Sequence, residues 1–259
     1  MSNNVYWKRI RQDVDIIKLT KNWREILVAK IRNRPLLSIR LRNGVVLNSP
    51  PEVDLNFLFH EIWMDEVYAP AGYQIRPNDV VIDIGANIGV FAMYAATRGN
   101  NIKVKSFEPF PKNAEFFRVN QKASRIENVE FYAQAVASKS GMRALHVHDS
   151  WMLHSLTDKD SGETGIEVDC VSLDHVVKNI VQCDLLKLDC EGGEYEILYS
   201  ASKETLSKIM RIVCEFNVLD GEKKNGEVLG DFLLKSGFVV DTLKPLNETT
   251  GFICAKQRT

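Results

Sequence analysis

Val80-Val81-Ile82-Asp83-Ile84-Gly85-Ala86-Asn87-Ile88-Gly89 is the stretch that decides the architecture. Its first half is a short, continuous, β-branched apolar run, which suits a strand buried on both faces. Its second half breaks at two glycines and opens directly into 90–97, VFAMYAAT, a segment of helical composition. Gly85 allows the backbone to turn and to approach a ligand with no Cβ in the way, and Gly89 permits close packing of the helix start. Free N–H groups at such a helix start favour an anionic ligand group, a carboxylate or a phosphate.

From Asp79 onward the alternation repeats as short apolar runs separated by amphipathic segments, the pattern of a parallel α/β sheet. Strands are predicted at 80–84, 104–107, 129–132, 185–188, 212–216, 238–242 and 251–255, with helices near 88–98, 111–123, 194–207 and 225–236. Only 243–250 separate the last two strands, too little for the crossover helix of a parallel pair, so the last strand is expected to run antiparallel. Between Ser138 and Cys183 a polar insertion carries His146, His148, Asp149, Ser150, Trp151 and His154 ahead of a predicted strand at 167–172. A segment this long inside a compact domain reads as a lid or substrate loop. Upstream, 5–34 give an imperfect helical stripe, and LLSIRLRNGVVLN at 36–48 alternates around Asn43-Gly44 as a hairpin does. Asp54 is placed to cap a helix running to about Met64. The chain thus divides into an extension over 1–78 and a core domain over 79–259 with an insertion at about 139–183.

With 45% apolar and 26% charged residues in 259, the chain supports one sizeable core, and its formal net charge of -1 gives no excess positive field for a phosphate backbone. Nucleic acid is not expected as a partner. No run approaches the roughly 18 apolar residues of a membrane span. MSNNVYWKRIRQ at the start runs into charge rather than an apolar signal core, so a cytoplasmic protein without an integral membrane segment is expected. The five cysteines form no C-x-x-C pair, and Cys183, Cys190, Cys214 and Cys254 lie in or beside apolar runs, as buried reduced thiols do.

Glu108 closes the second apolar run of the core in Ser106-Phe107-Glu108-Pro109. A carboxylate there can accept hydrogen bonds from both hydroxyls of a ribose, and it repels a 2′-phosphate. Strand, glycine turn, helix, strand and acid, in that order, point to a nucleoside site. Two ligand classes share such a site, a nicotinamide dinucleotide and S-adenosylmethionine. A dinucleotide turn reads G-x-G-x-x-G, whereas this one reads Gly85-x-x-x-Gly89 with Asn87 at its centre and Asp83 ahead of it. Asp83 would sit where a pyrophosphate needs positive potential, but it suits the ammonium of a methionine moiety.

From about Leu36 to Ala255 the sequence resembles the FkbM family of methyltransferases. The matching blocks are VVIDIGANIGVFA at 80–92, SFEPFPKNAEFFRVN at 106–120, QAVASKSG at 134–141, VDCVSLDHV at 168–176 and LLKLDCEGGEYEIL at 185–198. The resemblance implies a Rossmann-like class I methyltransferase fold, a seven-stranded, mostly parallel sheet with the last strand antiparallel, using S-adenosylmethionine for O-methylation. It implies that Asp83, Gly85, Ala86, Asn87, Gly89 and Glu108 line the cofactor, with Asn113 or Asn120 beside them and Ala135 and Val136 flanking the adenine. HVHDSWMLH at 146–154 departs from the family pattern, so acceptor specificity is not carried over there.

Lys187, Asp189 and Glu191 alternate at the end of the fourth predicted strand and are expected to converge beside the glycine turn, with Glu191 toward the cofactor. Methyl transfer to oxygen needs the acceptor held in line and its proton removed, for which Asp189, with Lys187 beside it, or His154 is the candidate. His60 and His175 read as structural. Asp189, Glu215 and Asn217 offer oxygen ligands for Mg²⁺ as a side possibility. The expected acceptor is a hydroxyl of a small molecule or glycan, and Trp63, Tyr68, Tyr73, Trp151 and His154 are candidates to line its cleft. The rival readings are a non-catalytic cofactor-binding regulator and, less consistent with the turn spacing, a nicotinamide-dependent oxidoreductase. The N-terminal helix and hairpin leave a homodimer open.

Overall fold

The structure, a computed structural model, describes residues 12–146, 165–219 and 224–258. A helical stretch over 12–19 leads into α1 (Trp23–Ile31). β1 (Ser38–Arg40) and β2 (Val46–Asn48) then pair antiparallel around Asn43-Gly44, as predicted. The connection over 41–45 is closed by the Leu41 N–H, which donates to Val45 O at 2.8 Å. Asp54 caps α2 (Leu55–Phe59), its side chain accepting from the Phe57 N–H at 3.0 Å. That helix widens into a π-helical turn over His60–Met64, a form that tends to occur at functional sites.

The core then runs β3 (Val80–Ile84), α3 (Val90–Ala96), β4 (Lys103–Phe107), α4 (Pro111–Ser124), β5 (Val129–Tyr132), β6 (Ala135–Ala137), β7 (Gly141–Leu145), β8 (Ile166–Ser172), α5 (Leu173–Val177), β9 (Leu185–Leu188), α6 (Glu194–Ser200), α7 (Lys203–Ser207), β10 (Arg211–Asn217), α8 (Gly226–Lys235), β11 (Phe238–Pro245) and β12 (Thr250–Gln257). Every predicted core strand is present. The single helix expected over 194–207 is two, because Ser202 breaks the run and caps α7, accepting from the Thr205 N–H at 3.2 Å. β6 and β7 were not anticipated; with β8 they form a separate three-stranded sheet at the borders of the insertion.

The main sheet is ordered β11-β12-β10-β9-β3-β4-β5. β10, β9, β3, β4 and β5 pair in parallel, while β12 pairs antiparallel with both β10 and β11. The expected antiparallel last strand is therefore seated inside the sheet, one place from its edge. Alternation along the strands builds two cores. Val81, Val104, Val129, Leu185 and Val213 face the N-terminal extension, α3 and α4. Ile82, Ile84, Leu186, Leu188 and Ile212 face α5 to α8. Each such fully buried aliphatic side chain contributes roughly 1.5–3 kcal/mol, so both sheet faces are firmly covered.

Arg211 fixes the edge where the parallel strands begin. Its guanidinium donates to Asp79 Oδ2 at 2.6 Å, Gln74 O at 2.6 Å and Asp184 O at 2.8 Å. Asp184 in turn accepts from the Val80 N–H at 2.8 Å. The start of β10 and the entries to β3 and β9 are thereby joined, leaving the opposite, carboxyl edge free to carry the site.

Candidate active site

The chain runs from β3 outward to β4 and β5, then returns to β9 on the other side of β3. Between β3 and β9 the order reverses, and open α/β sheets bind ligands in the crevice above such a reversal. A cavity of about 440 Å³ lies there, walled by the carboxyl ends of β3, β4, β9 and β10 together with side chains from the extension and the β11–β12 connection.

The amides of the glycine turn are engaged by the protein itself. The Gly85 and Ala86 N–H groups donate to Phe107 O at 3.1 and 3.0 Å, and the Gly89 N–H donates to Ala86 O at 2.9 Å. The Asn87 N–H donates to Glu108 Oε2 at 2.9 Å and the Ile88 N–H to Asn87 Oδ1 at 2.7 Å. From Gly85 to Gly89 every amide has a protein partner, so these N–H groups are not free for an anion. Gly85, at φ 75°, is required by the protein itself: a Cβ there would lie 1.6 Å from Asp189 O. Gly89, at φ 87°, packs as predicted, since a Cβ would meet Phe117 at 2.8 Å. Gly85 and Asn87 line the cavity, whereas Ala86 and Gly89 lie behind it.

Glu108 also lines the cavity and is itself 6% exposed. Oε2 accepts from Asn87 and Oε1 accepts from the Phe110 N–H at 2.9 Å, which fixes the carboxylate in one pose. A carboxylate has about four acceptor positions, so these two amides leave acceptor capacity over. Burial pushes its carboxyl up to about 7, against the pull of the Phe110 and Asn87 amides and the Asn113 side chain. Asn113 Oδ1, buried at the same wall, has no hydrogen-bond partner among the described residues. A buried acceptor left unpaired costs about 1–3 kcal/mol, which a donor from a ligand would recover. Ala135 and Val136 line this end as well. Asn120 does not: its amide holds β2 and the turn, with Oδ1 accepting from the Asn48 N–H at 2.6 Å and Nδ2 donating to Asn48 O and Ile88 O at 3.0 and 2.9 Å.

Asp83 and Lys187 are corrected in the same way. They are cross-strand neighbours in the β3–β9 register and both are buried beneath the cavity. Lys187 Nζ lies 3.1 Å from Asp83 Oδ1, an ion contact without hydrogen-bond alignment, and 3.4 Å from Asp189 Oδ2, and it donates to Gly85 O at 2.7 Å. Burial opposes the ammonium, yet Asp83 and Asp189 outweigh it and hold the lysine above its ordinary pKa. Asp83 therefore serves Lys187 rather than a ligand ammonium, and Lys187 positions Asp189 and the glycine turn without touching the cavity.

At the other end the acids cluster. Tyr68 Oη lies 2.9 Å from Asp189 Oδ2 and 3.0 Å from Glu215 Oε2. The one phenolic hydroxyl is thus shared between the two carboxyls. Burial and then Asp189 push Glu215 up to about 8, against the pull of the Tyr68 hydroxyl. Glu191 lines the cavity, but the chain turns left-handed there, at φ 50°, so it does not arrive by strand alternation as expected. Burial and then Asp189 push it up to about 9. Glu61, from the π-helical turn, completes the group; sequence reasoning missed it, although an acid one turn from Leu58 and Phe57 on an apolar face was a visible signal.

His154, His148 and Trp151 lie outside the described residues. His60 and His175 do not line the cavity. Nor do Trp63, packed edge-on against Tyr94, and Tyr73, which donates to Asp241 at 3.0 Å. Asp189, Glu215 and Asn217 do reach the cavity, but among the described residues no group of three or more His, Cys, Asp or Glu is arranged to hold a metal ion, which gives Mg²⁺ no support. Among the described residues no helix is long and apolar enough to cross a membrane.

A sheet of this order, with one antiparallel strand next to the edge and a cavity above a strand–glycine turn–helix unit, defines a class I, S-adenosylmethionine-dependent methyltransferase fold. The chain belongs to the FkbM family: the methyltransferase FkbM domain matches residues 83–240. It is 30% identical to the 31-O-demethyl-FK506 methyltransferase FkbM of Streptomyces tacrolimicus, over 78% of this chain and 89% of that protein. It is 25% identical to Methyltransferase 1 of Beauveria bassiana, over 83% of this chain and 88% of that one. Among solved structures, the rRNA methylase of Streptococcus thermophilus aligns over 75% of this chain and 93% of its own, at 14% identity and a TM-score of 0.46.

Proposed function

We propose that this methyltransferase transfers its methyl group to a hydroxyl oxygen of an uncharged small molecule or glycan. The observation that carries the reading is the chemistry of the cavity wall: its ionisable groups among the described residues are Glu61, Glu108, Asp189, Glu191, Glu215, Tyr68 and Cys190, with no Lys, Arg or His. Such a wall repels phosphates and carboxylates and offers proton acceptors to a hydroxyl. That favours a neutral acceptor over a nucleic acid, and similarity to a protein named 31-O-demethyl-FK506 methyltransferase agrees with it.

The residues present fit S-adenosylmethionine. Glu108, fixed by two amides with acceptor positions to spare, and the unpartnered Asn113 Oδ1 would hold the ribose hydroxyls. Ala135 and Val136 would flank the adenine. Asn87 and Gly85 would line the path between the ribose and the methionine portion. The cofactor supplies an electrophilic methyl on a positively charged sulfur. The surplus of carboxyls over Lys187 at that end gives the positive charge a matching field. Asp189, held by Lys187 and Tyr68, shapes that field and orients the acceptor.

Calorimetric titration with S-adenosylhomocysteine tests the cofactor half, with micromolar binding expected in the wild type and lost in Glu108→Ala. Incubation with S-adenosylmethionine and a panel of neutral alcohols and glycosides tests the acceptor half by mass spectrometry of the products. Absence of binding would remove the cofactor assignment, and methyl groups recovered only on nitrogen, carbon or nucleic acid would overturn the hydroxyl assignment.

A further inference from the structure

Glu61 differs from every other acid at the cavity for which the partners are on the page. Glu108 is fixed by two amides, Asp189 by Tyr68 and Lys187, and Glu215 by Tyr68. Among the described residues the Glu61 carboxyl makes neither a hydrogen bond nor an ion pair, yet it lines the cavity and is itself half-buried. It sits on the π-helical turn, which breaks the i to i+4 ladder and re-aims side chains locally. Its neighbours on the extension, Phe57 and Leu58, give that end of the cavity an apolar wall.

We infer that Glu61, contributed by the N-terminal extension, is the catalytic residue that takes the proton of the acceptor hydroxyl. The assignment rests on the O-methyltransferase reading above. As the acceptor oxygen forms its bond to the methyl carbon, the carbon–sulfur bond breaks and its electron pair stays on sulfur as the neutral thioether. The hydroxyl proton passes to a Glu61 oxygen and from there to solvent at the open side of the cavity. Asp189 is poorly suited to this step because its Oδ2 already accepts from Tyr68 and faces Lys187. Glu61 has its acceptor positions free, and the groups whose charge it feels are Asp189, Lys187 and Asp65. Its own charge is felt in turn by Tyr68 and Glu215, which places it within the same cluster. Burial first and Asp189 second push its carboxyl up to about 7, against Lys187, where a base is both ionised and strong enough near neutrality.

Two readouts test this on the full chain saturated with S-adenosylhomocysteine or S-adenosylmethionine. The first is carboxyl ¹³C NMR of glutamate-labelled protein, the Glu61 signal being the one absent from Glu61→Gln. It should titrate near neutrality, and addition of cyclohexanol or methyl glucoside should move it while leaving the Glu108 signal in place. A Glu61 signal that ignores both alcohols overturns the proposal. The second is methyl transfer to the same alcohols, where Glu61→Gln should lower kcat by about 100-fold or more, leave KM within a few-fold and remove the acidic limb of the pH profile. Wild-type kcat in Glu61→Gln overturns the proposal, as does loss of S-adenosylhomocysteine binding, which would make Glu61 a cofactor residue. If neither alcohol turns over, the NMR result alone decides. Failure of the wild type to bind S-adenosylhomocysteine is the separate result that removes the methyltransferase reading itself.

Discussion

Three side chains show how a residue's type and its role separate at this site. Gly85 is a glycine because Asp189 O occupies the place of its Cβ, so the turn and the end of β9 are fitted to each other backbone to backbone. Gly85→Ala is expected to be strongly destabilising through both the clash and the positive φ, read as a large loss in unfolding midpoint and not only as weaker cofactor binding. Asn113 carries an unpaired buried oxygen that a ligand donor would satisfy. Asn113→Ala should weaken S-adenosylhomocysteine binding by about tenfold, the worth of one net hydrogen bond, with little effect on stability, as calorimetry and thermal melts would show. Tyr68 links Asp189 to Glu215 with one proton. Tyr68→Phe removes that link and leaves the carboxyls to repel, so the midpoint of Glu215 should rise further, measurable by the same carboxyl NMR.

At the scale of elements, the site depends on clamps between segments far apart in the chain. Asn120 of α4 joins β2 to Ile88 of the glycine turn through three hydrogen bonds, the one to Ile88 O fully buried. Its truncation leaves these backbone groups without partners, so Asn120→Ala should cost about 2–4 kcal/mol in denaturant unfolding and loosen the turn, weakening cofactor binding without removing any cavity-lining atom. Arg211 plays the corresponding part at the opposite sheet edge, and breaking its buried pair with Asp79 is expected to cost about 3–5 kcal/mol while leaving cofactor affinity of the folded protein unchanged. The contrast between the two variants separates the edge that bears the site from the edge that only holds the sheet together.

For the whole molecule, the accumulation of acids at one end of the sheet sets the dependence of stability on pH. Glu61 and Glu108 are held up to about 7 and Glu215 up to about 8, each chiefly by burial, from an ordinary value of 4.5. The folded state therefore binds more protons than the unfolded state across that window. Stability tied to these groups is complete below about 4.5 and is lost as pH rises through 7 to 8. The ligand-free protein should accordingly melt at a lower temperature near pH 9 than near pH 6, by about 2–4 °C for each kcal/mol lost. Glu215→Gln should flatten that slope; an unchanged slope would show that Glu215 is not ionising over the window.

Much of this was legible in the chain itself because it depends on neighbours in sequence. The short apolar runs that become β3, β9 and β10, the glycine pair, the acid ending β4 and the short link that forces β12 antiparallel are all local signals of period, turn chemistry and length. The two short strands β6 and β7 escaped: β6 has three residues, all buried, and β7 has five of which only Leu145 is buried, so neither shows a period to read. Which acids meet the ligand was decided by tertiary structure alone. Asp83 and Glu108 look equivalent as acids near the glycine turn, but register sets Asp83 against Lys187, while the end of β4 brings Glu108 to the cavity. Glu61 and Tyr68 reach the site only because the extension packs across the sheet face that carries Val81 and Leu185. Sequence fixes periodicity, which is a property of one segment. The charge environment of a carboxyl depends on segments more than a hundred residues apart, as between Tyr68 and Asp189, and only packing brings those together.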